Sequence, residues 1–272
     1  MTQPQNIDKG TGEPTVVLIH GICCAATDYS WHIDALSKSH RVIAPTMRAH
    51  GDSDSREFTT EQLTIEQLSS EIASLLVEKD ITGAVLCGHS LGVRVVLEVH
   101  RQVPERVAGL VFIDGSNSVS NNLDSVLDAF DAATTGDKIT PWIQGLFKEM
   151  FLPGKFAEEQ NRYRQRITNM PDENLRALYR NLIIWDGQQF AQQLKNAADK
   201  PLLVVQSTVR DTVAARRSLK PGETGDFPQQ IAESHPHTSI VIYAGRSHFI
   251  NLDEPEKLLE DLLLWMKNNG LC

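Results

Sequence analysis

The stretch VLCGHSLGV, residues 85 to 93, places Ser90 between Gly88 and Gly92, directly after an apolar run and directly before a helix-patterned one. A chain that turns from strand straight into helix crowds its central residue, and the residues two places to either side must then be very small. Such a turn lifts a serine oxygen above the carboxyl edge of a sheet. It also frees the next backbone N–H, that of Leu91, to point at a substrate oxygen. The plainer alternative is that Ser90 caps the helix LGVRVVLEVHRQV; the strand-turn-helix placement favours the nucleophile.

A serine hydroxyl is a weak nucleophile at neutral pH and needs a base within hydrogen-bond reach. Of nine histidines, His248 in YAGRSHFINLDEP is the best candidate, because it follows the last apolar run and should emerge at the same sheet edge. His20 ends the first strong run and suits a structural role beside the loop HGICC, while His89 is expected to point away from the serine. A carboxylate should hold the imidazole tautomer and stabilise the imidazolium. Asp114, ending VAGLVFID, and Asp211, following PLLVVQS and TVR, both stand beyond strand patterns, so geometry read from the sequence does not separate them.

The elements that would position these residues are six apolar runs bounded by turn residues: TVVLIHG, RVIAP, GAVLCG, VAGLVFIDG, PLLVVQS and SIVIYAG. Helical patterns alternate with them, as in TIEQLSSEIASLLVEKD, whose Ile65, Leu68, Ile72, Leu75 and Leu76 recur at helical spacing. Strands apolar on both faces, alternating with helices, predict an α/β fold with a mostly parallel, doubly wound sheet. Residues 118–198 carry helix-like stretches and most of the large aromatic side chains, with no convincing strand. They are read as a helical cap inserted into a core of residues 1–117 and 199–272.

The chain has 272 residues and a formal net charge of −9, and its longest basic run is ARR at 215–217. Clustered positive charge is what binds a phosphate backbone, so a nucleic-acid partner is not expected. No apolar stretch approaches the ~20 residues of a spanning helix, and MTQPQNIDKG lacks the pattern of a signal peptide; no membrane partner and a cytoplasmic location are expected. The four cysteines, at 23, 24, 87 and 272, match neither a disulfide framework nor zinc spacing. They are read as free thiols, with no metal and no cofactor.

Taken together, VVLIHG, APTMRAHGDSD, GHSLG, AGLVFIDG, PLLVVQS and GRSHFINLDEPE resemble, in order and spacing, the α/β-hydrolase superfamily, in its serine hydrolase branch. The likeness covers nearly all the chain except the cap. It implies Ser90 as nucleophile, His248 as general base, and an oxyanion hole from the backbone N–H groups of Leu91 and Ile22. In many members the acid lies three residues after a glycine ending the seventh strand; here Ser207 replaces that glycine and Asp211 falls one place late. Other members carry the acid after the sixth strand, where Asp114 stands, and Asp114 is preferred. RAHG replaces the family's RGHG, and the antiparallel hairpin that often opens the fold is expected to be shortened or absent.

The cap's apolar residues, among them Trp142, Phe147, Phe151 and Trp185, are spaced so that one face could line a pocket over Ser90. The expected substrate is therefore a small to medium apolar ester, lactone or thioester, cleaved through an acyl-enzyme. Two other readings stay open: a cofactor-independent dioxygenase of the same fold acting on an N-heteroaromatic ring, and a non-catalytic ligand-binding relative. The oligomeric state is not legible.

Overall fold

A computed structural model describes residues 6–51, 56–117, 122–210 and 216–272. The strands are β1 (Ile7–Lys9), β2 (Val16–Ile19), β3 (Val42–Ala44), β4 (Ala84–His89), β5 (Val107–Ile113), β6 (Leu202–Gln206), β7 (Thr208–Arg210), β8 (Arg216–Ser218) and β9 (Thr238–Ile242), of which β2 to β6 and β9 come from the six apolar runs. Seven of them make one sheet in the order β1-β3-β2-β4-β5-β6-β9. All its pairings are parallel except β1 with β3. The opening strand is thus present, shortened to three residues. The polar insert after β6 was not read as strand, yet β7 and β8 pair antiparallel as a separate two-stranded sheet.

The helices are α1 (Ser30–Leu36), α2 (Ile65–Glu78), α3 (Gly92–Gln102), α4 (Leu123–Thr134), α5 (Ile139–Glu149), α6 (Ala157–Asn169), α7 (Asp172–Gln188), α8 (Phe190–Asn196), α9 (Asp226–Ser234), α10 (Ile250–Asp253) and α11 (Pro255–Asn268). Alternation along the central strands divides the core. Val17, Ile19, Leu86, Leu110, Phe112 and Val204 pack with the apolar stripes of α2, α3 and α7. Val16, Leu18, Val85, Val111, Leu203 and Val205 pack with those of α1 and α11. Strands buried on both faces need cover on both, which is why the pattern reads as continuous rather than alternating.

Helices α4 to α8 fall in the chain between β5 and β6 and are stitched to the core at named points. Arg94 of α3 forms a buried, two-pronged ion pair with Asp186 of α7, at 2.9 and 2.7 Å. Arg166 of α6 pairs with Asp28 at 2.7 Å. The backbone N–H of His248 donates to the Met150 carbonyl at 3.1 Å. These contacts hold the helices over the carboxyl edge of the sheet. Among the described residues, no helix is long and apolar enough to cross a membrane.

Candidate active site

Strand β4 ends at His89 and α3 begins at Gly92, so Ser90 and Leu91 alone make the turn. Ser90 sits at φ +55°, a left-handed conformation that strains a residue with a Cβ. The flanking glycines follow from crowding. A Cβ on Gly88 would lie 2.2 Å from the Gly92 carbonyl oxygen, and one on Gly92 would lie 2.5 Å from that of Ile19. The turn is pinned by the Ser90 N–H donating to Ile113 O at 3.1 Å and by Val93 N–H and Arg94 Nη1 donating to Ser90 O at 3.2 and 3.0 Å. A serine that only capped α3 would not need the strained φ or the two glycines.

Asp114, fully buried just past β5, is the carboxylate that meets His248: His248 Nδ1 donates to its Oδ2 at 2.5 Å. The imidazole therefore carries its proton on Nδ1 and keeps the lone pair on Nε2. Asp114 Oδ1 also accepts the backbone N–H groups of Ser207 and Thr208, each at 2.8 Å. Its Oδ2 accepts Thr208 Oγ1–H at 2.5 Å and Arg216 Nη1–H at 2.9 Å. Ser207 Oγ lies 2.9 Å from Asp114 Oδ1 and 2.5 Å from Ser247 O; its single proton serves one acceptor at a time. Ser207, which departs from the glycine usual at the end of that strand, thus holds a carboxylate that stands on the neighbouring strand. Asp211 lies outside the described residues.

Burial alone would raise the Asp114 pKa, but the hydrogen bond and charge of His248, the charge of Arg216 and the Thr208 hydroxyl outweigh it and hold the carboxyl well below the ordinary range. His248 is pushed down to about 4, first by burial and then by Arg216, against the opposing pull of Asp114. At neutral pH the pair is thus a neutral imidazole on a carboxylate, the state in which a general base can accept a proton.

Ile22 and Ser90 line one small cavity of about 40 Å³, which places the Ile22 loop across from the serine. His20 supports that loop. Its Nε2 accepts the Met47 N–H at 3.0 Å, so Nδ1 donates to Gly21 O, 2.7 Å away. His89 lies against His248: the ring centroids are 4.5 Å apart, and His89 Nε2–H donates to His248 O at 2.9 Å. Burial, with the nearby His248, lowers the His89 pKa to about 3, so it acts as a neutral brace. Leu91, fully buried, follows the serine as its residue in the turn.

A larger cavity of about 410 Å³ lies alongside and shares Ser116, Tyr179, Leu182, Arg210 and Arg216 with the small one. Of the four aromatic residues expected in a pocket, Trp142 lines this cavity. The other three are corrected. Phe151 stacks on Phe249 at 4.4 Å and Phe147 reaches it at 6.2 Å, so both form a wall behind the His248 loop. They line a separate cavity of about 30 Å³ between α5 and α6. Trp185 is buried edge-on against Phe190. Helical spacing shows that a face is covered, and here packing rather than a cavity covers it. The wall of the larger cavity also holds Phe130, Tyr179, Ile183 and Phe227. Among the described residues, no cluster of three His, Cys, Asp or Glu side chains could hold a metal ion.

Sequence reasoning missed Arg94, Arg210, Arg216 and Thr208. The only signal was the basic run ARR, too short to suggest nucleic acid and silent about a site. Arg216 reaches Asp114 across 102 positions, and only folding makes that contact.

A model of the alpha/beta hydrolase family matches residues 16–261. The chain is 26% identical over 261 residues to the dihydrolipoyllysine-residue acetyltransferase component of the acetoin cleaving system of Pseudomonas putida, covering 96% of this chain and 65% of that protein. It spans about half to two thirds of the length of the acetyltransferase components it matches. It is 26% identical over 265 residues to 2-(acetamidomethylene)succinate hydrolase of Mesorhizobium japonicum, covering 93% of this chain and 87% of that protein. The fold superposes on a hydrolase from Oleispira antarctica with a TM-score of 0.77 at 16% identity, covering 98% of this chain and 95% of the other.

Proposed function

From the premise that the chain belongs to the alpha/beta hydrolase family, we propose that it is a serine hydrolase acting on a small to medium ester, lactone or thioester. The observation that carries this reading is the strained Ser90 at a strand-helix elbow, on the same sheet edge as a neutral His248 whose Nδ1–H is fixed by Asp114. In the reaction Ser90 Oγ attacks the acyl carbon as His248 Nε2 takes its proton. The oxyanion meets the backbone N–H groups of Leu91 and Ile22, each such donor contributing ~3 kcal/mol of barrier lowering. Collapse expels the alcohol or thiol, which takes the proton back from His248. Water, deprotonated by the same nitrogen, then attacks the acyl-enzyme and releases the acid and free Ser90. Asp114 stays ionised throughout and stabilises the imidazolium.

The name of the Mesorhizobium relative, a hydrolase, agrees with this reading. Its test is reaction with a fluorophosphonate, followed by mass-spectrometric location of the adduct. A single adduct on Ser90, lost in Ser90→Ala, is expected; folded protein that stays unmodified overturns the acyl-enzyme. A cofactor-independent oxygenation would survive Ser90→Ala, whereas ester hydrolysis would not.

A further inference from the structure

Three guanidinium groups, those of Arg94, Arg210 and Arg216, line the small cavity that Ser90 and Ile22 share, and among the described residues no carboxylate lines it. Asp186 pairs with Arg94 and Asp114 with Arg216, and neither acid lines the cavity. Arg94 and Arg216 are almost wholly buried, with side-chain exposures of 2% and 8%. A guanidinium offers five N–H donors, more than one carboxylate can take, so these pairings leave donors for a ligand. Tyr179 stands in both cavities, and burial raises its pKa to about 12, so it stays a neutral hydroxyl donor.

Beyond Arg210 and Arg216 the larger cavity changes character, with Phe130, Trp142, Ile183 and Phe227 in its wall. Asp226 also lines that cavity but not the one at Ser90. Positive charge is thus concentrated next to the reacting serine and apolar surface farther away. A cluster of buried cations is costly unless anions compensate it. Burial, together with the neighbouring arginines, lowers the pKa of both Arg210 and Arg216, the sense expected for cations that a bound anion would relieve.

We propose that the substrate carries a carboxylate, seated on Arg210 and Arg216 with Tyr179 beside them, close to the bond that Ser90 cleaves, with its apolar body in the larger cavity. This rests on the serine hydrolase reading for the bond cleaved, but not for the anion site itself. It replaces the wholly apolar substrate expected from the cap's composition with an amphiphilic one. Geometry favours a planar anion, because a guanidinium presents parallel N–H groups that match the two oxygens of a carboxylate.

The test compares 4-nitrophenyl hydrogen adipate with its methyl-capped ester, which has the same chain and no charge. A kcat/KM at least tenfold higher for the charged ester is expected in the unmodified protein. The ratio should fall by at least tenfold in Arg210→Met and in Arg210→Gln, and Arg210→Lys should restore part of it. Thermal melting checks that each variant is folded. A ratio near one in the unmodified protein, or a ratio that these variants leave unchanged, overturns the proposal. Calorimetric binding of adipate and of its dimethyl ester is measured in parallel and needs no turnover. Adipate should bind at least tenfold more tightly, an advantage lost in Arg210→Met. If neither ester is hydrolysed and Ser90 takes no label, the hydrolase reading fails while the adipate preference still decides the anion site; equal binding overturns the site.

Discussion

The elbow at Ser90 and the helices above it are built on different principles. Around the elbow the constraints are backbone atoms: Gly88 and Gly92 have neighbours at 2.2 and 2.5 Å from where a Cβ would stand, and none of these atoms can move without the sheet moving. In helices α4 to α8 the constraints are side chains, such as Trp142 edge-on to Phe130 at 5.6 Å and to Tyr179 at 5.2 Å. These can adopt other rotamers, and they enclose a cavity. Chemistry placed on backbone sterics tolerates little change, whereas selectivity placed on side chains can be altered one residue at a time.

That contrast predicts a descending series of effects. The largest sits beside the elbow. Asp114→Asn removes the acceptor of His248 Nδ1–H and should cut kcat on an activated ester ~10⁴-fold with the fold retained, whereas Asp211→Asn should change it only a few-fold. Turnover measured side by side decides, and a large fall confined to Asp211→Asn would reverse the assignment of the acid. Next comes Gly88→Ala, one methyl group aimed at the Gly92 carbonyl. It should lower kcat on the order of a hundredfold, the penalty that misplacement of about 1 Å carries, and also lower the melting temperature; near-normal turnover would show that the elbow can yield.

In the cap, Trp142→Ala should change kcat/KM by ~10-fold, with the change depending on acyl chain length, since one pocket contact is worth ~1–3 kcal/mol. Phe151→Ala should instead lower stability by ~3 kcal/mol and leave the chain-length preference intact. Equal selectivity changes in both would erase the distinction between wall and packing.

The smallest effect is in pH. His248 must be neutral to accept a proton, and its pKa lies near 4. Activity should therefore hold as pH falls past 6.5 and drop only toward 4. Stability follows the same sign. The unfolded histidine takes up its proton near 6.5 and the folded one near 4, so this group destabilises the fold progressively across that window as pH falls. Arg216→Met removes a cation facing the pair and should move the acid limb upward by about 1 pH unit; a limb that stays in place would dissociate Arg216 from the base.

Much of this was legible because it is local. The six apolar runs are the parallel strands of the sheet, and GHSLG marks its own turn because a serine between two glycines, directly after a strand pattern and before a helix pattern, can be read along the chain. Asp114 directly follows β5 and His248 lies in the loop after β9, and parallel topology brings the carboxyl ends of both strands to one edge. The hairpin of β7 and β8 was not legible, because TVR and RRS are too polar to stand out as an apolar run, unlike the equally short β3. Phe147, Phe151 and Trp185 were misplaced because amphipathic spacing reports burial without naming the neighbour.

By itself, then, the sequence determined the sheet, the elbow and the small set of residues able to carry nucleophile, base and acid, since strand pattern and glycine placement depend on neighbours in the chain. Only the tertiary structure decided that Asp114 is seated on His248, that Ser207 and Thr208 hold it, and that three arginines from α3, β7 and β8 converge beside Ser90. Apart from Arg94, which lies one helical turn from Ser90, those contacts join residues about a hundred or more positions apart. Their energies depend on burial and orientation, which no local pattern encodes.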